Sequence, residues 1–260
     1  MIKILFCCHG NICRSPMGEF VLKDMVKKAG CTADFEIASA AVSREEIGNP
    51  VYPPARRELA KADGLAVYDD YRALLQNPDV EAVLIATPNH LHHDLAVAAM
   101  RAGKHVLCEK PAARTLAEVE EMQKVQHETG MTLNIGVVNR FNTAVNEIKK
   151  LIDAGELGEV YHVYVSFRAH RSIPGLGGAF TTKEIAGGGA LIDWGVHFLD
   201  IVMYCTGDPT PKTVTCNAYS KLGVDMPNYV YEGMWAEDTK DVNGTYDVDD
   251  LVSGFVRTSG

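Results

Sequence analysis

The chain has 260 residues, 47% of them hydrophobic and 23% charged, a balance that excludes disordered, collagen-like and low-complexity classes. With 34 acidic against 25 basic residues the net charge is −9, which argues against a general nucleic-acid or anionic-membrane binder. No apolar stretch approaches the ~20 residues that span a bilayer. The opening MIKILFCCHGN is too short in its apolar part for a signal peptide, and seven cysteines at irregular spacing fit reduced thiols in a cytoplasm.

Ile2 to Cys7 is a short continuous apolar run and reads as a buried parallel strand. Ser15-Pro16 opens a helix that runs to about Lys28 and stops at Gly30. Phe35 to Ala41 is a second strand, and 53–60 a short basic helix. A helix near Tyr71–Gln76, a strand over Ala82–Thr87 and a helix from Leu91 to about Ala102 follow. The strand His105–Cys108 ends at Glu109-Lys110-Pro111. Thr115 and Glu118 form a capping box for a helix reaching about Glu128. Thr132–Val137 is a further strand and Asn142–Ala154 an amphipathic helix. This alternation predicts a Rossmann-like α/β fold, a mostly parallel sheet with helices on both faces.

After Gly158 the period changes. Tyr161, Val163, Val165 and Phe167 alternate with polar neighbours, which predicts a strand of an antiparallel sheet with one buried face. Thr213–Tyr219 and Leu251–Thr258 are further strands. The second region is therefore α+β, and its sheet edge is left uncovered where the chain stops.

Between the first strand and the first helix stands Cys8-His9-Gly10-Asn11-Ile12-Cys13-Arg14-Ser15. A turn at a helix N-terminus gathers main-chain N–H groups into an anion nest. Arg14 can grip two phosphate oxygens with its planar fork. The same positive field favours the thiolate of Cys8, a nucleophile. These eight residues, with Pro16-Met17, Ser39-Ala40 and Gly48-Asn49-Pro50 to Arg56-Arg57, resemble the low-molecular-weight protein tyrosine phosphatases over residues 1–60. That resemblance implies Cys8 as nucleophile, Arg14 as phosphate clamp, Asn11 as loop stabiliser and Ser15 as a donor to the thiolate, with Cys13 the neighbouring thiol. The family also needs an aspartic acid from an Asp-Pro loop. Asp208-Pro209 is the sole such pair in the chain.

From about residue 61 onward the chain resembles the Gfo/Idh/MocA family of NAD(P)-dependent sugar and polyol dehydrogenases. The matching residues are Ala86-Thr87-Pro88-Asn89 with His92, then Ala102-Gly103-Lys104-His105-Val106 and Cys108-Glu109-Lys110-Pro111. Asn139-Arg140-Phe141 and Gly187-Gly188-Gly189 leading to Asp193-x-x-x-His197 complete them. The resemblance implies NAD or NADP as cofactor, held by Thr87, Pro88, Asn89, His92, Glu109, Lys110 and Pro111. It implies Lys110 at the substrate hydroxyl, His197 as acid/base and Asp193 as a substrate anchor or as the partner of His197. Four residues apart on a helix, Asp193 and His197 share a face. His90, His92 and His93 lack a carboxylate or thiol set that would make them a metal site, so no metal is expected.

No GxGxxG pattern occurs in the chain, which predicts weak cofactor binding. Glu36 stands near the distance expected for a ribose-binding acid. The sequence thus divides into a phosphatase-like block (1–60), the remainder of a Rossmann-like domain (61–140) and a truncated α+β substrate or oligomerisation domain (141–260). The expected function is an impaired NAD(P)-dependent sugar or polyol oxidoreductase. The alternatives are a cysteine-based phosphatase, or an inactive hybrid that keeps a phosphate site. Expected partners are a sugar or polyol and a phosphorylated ligand at Cys8–Ser15, with neither nucleic acid nor membrane; self-association is left open.

Overall fold

In a computed structural model, residues 2–8, 14–41, 70–170, 173–230 and 240–259 are described. The helix expected over 53–60, the boundary between the first two blocks at 60/61 and residues 9–13 of the phosphate loop lie outside them. The chain forms two units, Met1–Gly136 and Val137–Gly260.

Among the described residues, the first unit is built on five parallel strands. They are β1 (Ile2–Cys8), β2 (Phe35–Ala41), β3 (Ala82–Ile85), β4 (His105–Cys108) and β5 (Leu133–Ile135), in the order β2-β1-β3-β4-β5. Alternation along β3 sends its side chains to both faces. Val83 and Ile85 enter one core with Leu74, Met100, Met122 and Val125, while Leu84 packs on a second core of Phe6, Val26 and Ile37. Apolar cover on both sides is what makes these strands continuous apolar runs. The expected strand over 132–137 is shorter, because Gly136 N closes the ladder on Cys108 O at 2.7 Å and the chain turns into the helical turn Val138–Phe141.

Local signals set the helices. Helix α1 (Arg14–Lys28) ends where Gly30 takes φ 71° and Cys31 N donates to Val26 O at 3.0 Å. Asp70 caps the short α2 (Tyr71–Leu75), its carboxylate accepting from Arg72 N at 2.8 Å. Helix α3 spans His92–Arg101 and α4 spans Leu116–Thr129. The Thr115/Glu118 capping box forms at the start of α4. Arg114 reinforces it: burial works against the Glu118 charge, but the Arg114 guanidinium and main-chain N–H hold its carboxyl below the ordinary range.

In the second unit, Asn142 caps α5 (Thr143–Asp153) by accepting from Ala144 N. Helix α6 (Lys183–Ala186) stops at Gly187, φ 86°; a π turn over Leu191–Gly195 then leads into α7 (Val196–Thr206). Antiparallel strands β6 (Pro211–Tyr219) and β7 (Leu251–Thr258) pair with Cys216 opposite Gly254. Two expectations fail here. Residues 161–167 form no strand among the described residues, although Phe167 stacks on Trp194 and Phe198 at ring distances of 4.6 and 4.9 Å. Tyr161, Val163, Val165 and Phe167 are all exposed, so the buried face expected from the alternation does not form either. The second concerns apolar length. Lys183–Thr206 is 24 residues long and apolar enough for a membrane span, so such a stretch exists. It is nonetheless broken at Gly187 and carries Asp193, His197 and Asp200.

Candidate active site

In an open parallel sheet, ligands sit outside the strand C-termini where the winding direction reverses. Here β1 lies between β2 on one side and β3 on the other, so the reversal falls between β1 and β3. Cys8 ends β1, Thr87-Pro88-Asn89 follows β3, and Glu109-Lys110-Pro111 follows β4. Three of the sequence-derived segments thus share one edge. Arg14 and Ser15 begin α1, while His9, Gly10, Asn11, Ile12 and Cys13 lie outside the described residues. Glu36 is at the wrong end. It is the second residue of β2, with Lys3 Nζ 3.0 Å from its carboxylate and 3.0 Å from Asp79, on the sheet's opposite edge.

The β3 and β4 loops are joined by main-chain bonds. Glu109 N donates to Ile85 O at 2.8 Å, and Lys110 N to Glu109 Oε2 at 3.3 Å; the Lys110–Pro111 peptide is cis. His92, at the start of α3, is buried with Nδ1 2.7 Å from Pro111 O and Nε2 2.9 Å from Thr87 O. Thr87 is 2% exposed, and its hydroxyl has no hydrogen-bond partner among the described residues. An orphaned hydroxyl, a carboxylate and an ammonium at the reversal point fit a dinucleotide, which presents hydroxyls, an amide and phosphates. Beside Glu109, burial, with the Glu109 charge, pushes the Cys108 thiol up to about 12, which disfavours its thiolate. His93, one residue on, bridges Asp94 and Glu121 at 2.8 and 3.1 Å.

Asp193 and His197 belong to the second unit, across the junction of the π turn and α7. Three supports fix this run, none foreseen from the sequence. Asp249 Oδ1 accepts from Gly189 N at 2.9 Å and Oδ2 from Leu191 N at 3.0 Å, capping the turn. Asp200, one turn past His197, accepts both Nε (2.9 Å) and Nη2 (2.6 Å) of Arg140. Arg140 also lies 5.1 Å over the Tyr204 ring, and Tyr204 Oη donates to Asn146 Oδ1 at 2.9 Å. Asp249 could have been suspected from Asp-Val-Asp-Asp over 247–250, a dense run of helix-capping residues.

Residues 40–137 match the family profile described as oxidoreductase family, NAD-binding Rossmann fold, and residues 145–260 match the GFO/IDH/MocA C-terminal domain. D-glucoside 3-dehydrogenase of Escherichia coli (strain K12) is 31% identical over 249 residues, covering 94% of this chain and 69% of its own. Levoglucosan dehydrogenase of Pseudarthrobacter phenanthrenivorans is 38% identical over 202 residues, 72% of this chain and 49% of its own. The crystal structure of an NAD-binding protein from Listeria innocua superposes with a TM-score of 0.69 at 26% identity, over 99% of this chain and 63% of that one. The chain therefore spans from about half to about two thirds of these proteins.

These matches correct the hybrid reading. An alignment over 94% of the chain takes in most of residues 1–60, and β1 and β2 complete the same sheet as β3–β5. The first block stands as the opening strand–helix–strand of the Rossmann unit, and nothing supports a separate phosphatase segment. The chain belongs to the Gfo/Idh/MocA family of oxidoreductases.

Proposed function

We propose that the protein oxidises or reduces a secondary hydroxyl of a sugar or polyol with a nicotinamide dinucleotide. The clustering of Thr87–Asn89 and Glu109–Pro111 at the reversal point of the sheet carries this reading. The sugar-dehydrogenase names of its relatives support the substrate class. The nicotinamide accepts or gives the hydride when bound. In the alcohol-to-ketone direction the carbinol carbon gives up a hydride and its hydroxyl gives up a proton. His197 takes that proton, Lys110 donates a hydrogen bond to the oxygen as negative charge builds on it, and Asp193 anchors a neighbouring hydroxyl. Thr87, Pro88, Asn89, His92, Glu109 and Pro111 shape the cofactor side. Arg14 and the main-chain N–H groups at the start of α1 hold phosphate, since they follow β1 at the reversal point. Cys8, the last residue of β1, has no nucleophilic part in this reaction.

The test is nucleotide-dependent oxidation of a panel of glycosides, anhydrosugars and inositols by the chain and its variants. His197→Ala is expected to lower kcat about 10²–10⁴-fold, the usual worth of general acid–base help. Lys110→Met is expected to lower kcat as well, with nucleotide affinity retained. Full activity in both variants would refute the roles given to these residues.

A further inference from the structure

We infer that His92 is a positioning residue: a two-point tether between the Thr87 and Pro111 loops that sets where Lys110 stands. The inference rests on the dinucleotide reading of those loops. The imidazole is 1% exposed and touches main chain through both ring nitrogens, Pro111 O at 2.7 Å and Thr87 O at 2.9 Å. One acceptor lies five residues before it and the other nineteen after it. They belong to the segments that leave β3 and β4.

A carbonyl oxygen can only accept, so each contact is a hydrogen bond when the facing nitrogen carries a proton. A neutral imidazole donates to one of the two carbonyls at a time, and its planar ring, with a nitrogen facing each loop, spans the two at a fixed width, which no aliphatic side chain does. The rest of the corner is already pinned: Glu109 N to Ile85 O at 2.8 Å, Lys110 N to Glu109 Oε2 at 3.3 Å, and Leu91 N to Pro88 O at 3.0 Å. His92 closes this ring of contacts on its Pro111 side. Buried ring nitrogens find polar partners wherever they sit, so what distinguishes His92 is where its partners lie. Here both bonds leave the helix for the candidate site. Lys110 precedes Pro111 directly, so a shift of the Pro111 carbonyl moves Lys110 with it. An error of about 1 Å at a reacting group can cost on the order of 10²-fold in rate.

The test is amide hydrogen exchange on the 260-residue chain with His92→Phe and His92→Gln, read at Leu91, Glu109 and Lys110, alongside nucleotide titration. Phe keeps a planar ring and removes both nitrogens, whereas Gln restores an N–H donor. In His92→Phe, exchange at Glu109 and Lys110 is expected to quicken by about tenfold or more, the effect of losing one or two buried hydrogen bonds. The amides of β1 and α1 should keep the wild-type rate, and His92→Gln should recover part of the protection. NADH affinity should fall in the same order. If Glu109 and Lys110 exchange at the wild-type rate in His92→Phe, or if β1 and α1 quicken equally, the tether is wrong and His92 is ordinary packing. Should His92→Phe fail to fold, His92→Gln with wild-type exchange at these amides refutes the tether as well. Failure of the wild-type chain to bind NADH or NADPH would overturn the dinucleotide reading instead, and the exchange result would still decide the tether.

Discussion

A Cβ placed on Gly189 would lie 1.8 Å from the main-chain oxygen of Asp249. The two residues are sixty apart in sequence, yet Asp249 also accepts from Gly189 N, and Ala190 N donates to Asp249 O at 2.9 Å. The glycine run before the Asp193–His197 segment thus exists so that one backbone can lie directly against another. Its main task is packing, and through packing it fixes where α7 begins.

Gly189→Ala is expected to force the two backbones apart and destabilise the second unit by about 1–3 kcal/mol, the usual range for inserting a methyl into filled space. Asp249→Ala should cost about 1–2 kcal/mol through the lost cap. Because both changes act on the same contact, the double variant should lose less than the sum. Urea unfolding of the four proteins checks this, and strict additivity would separate glycine from cap.

Tyr246 predicts a dependence on alkaline pH. Burial, then its hydrogen bond to the Asp250 carboxylate, raises its phenol above the ordinary value. The folded state therefore keeps the proton to higher pH than the unfolded chain, whose tyrosine titrates near ~10. The Tyr246 contribution is complete below that value and is lost as pH climbs through the raised folded value. Tyr246→Phe should be less stable than wild type at pH 8, and the gap should narrow above pH ~10. Parallel melts of both proteins across that range test the sign.

Thiol reactivity should follow burial. Cys216 is exposed on β6, whereas Cys108 is buried with its thiol pushed up to about 12. Under limiting iodoacetamide at pH 8, mass spectrometry should find Cys216 labelled first of the pair and Cys108 unlabelled until the protein unfolds. Early labelling of Cys108 would mean that β4 opens locally.

What the sequence disclosed was local. The Thr115/Glu118 box and the Gly30 stop each lie within a few residues of what they control, and both form. The Thr87–Asn89 and Glu109–Pro111 segments could be placed because each follows a short apolar run that becomes a parallel strand. Glu36 misled because spacing counts residues without saying which end of a strand they reach. The 161–167 stretch misled because period two in residue type fixes neither burial nor a hydrogen-bonded neighbour, and Tyr161, Val163, Val165 and Phe167 are all exposed. Asp249, Asp200 and the His92–Pro111 contact stayed hidden because their partners stand from nineteen to sixty residues away. The phosphatase likeness of residues 1–60 rested on short matching strings, and the strand pairing of β1 with β3 assigns that segment to the Rossmann sheet instead.

The central claim is that a nicotinamide dinucleotide binds at the C-terminal edge of the parallel sheet, and amide chemical shifts during NADH and NADPH titration test it most directly. Saturable shifts are expected at Thr87, Asn89, Glu109, Lys110 and the start of α1. The opposite edge, marked by Lys3, Glu36 and Asp79, should stay unmoved. Shifts confined to that opposite edge, or none with either nucleotide up to about 1 mM, a binding free energy weaker than about 4 kcal/mol, would contradict the account.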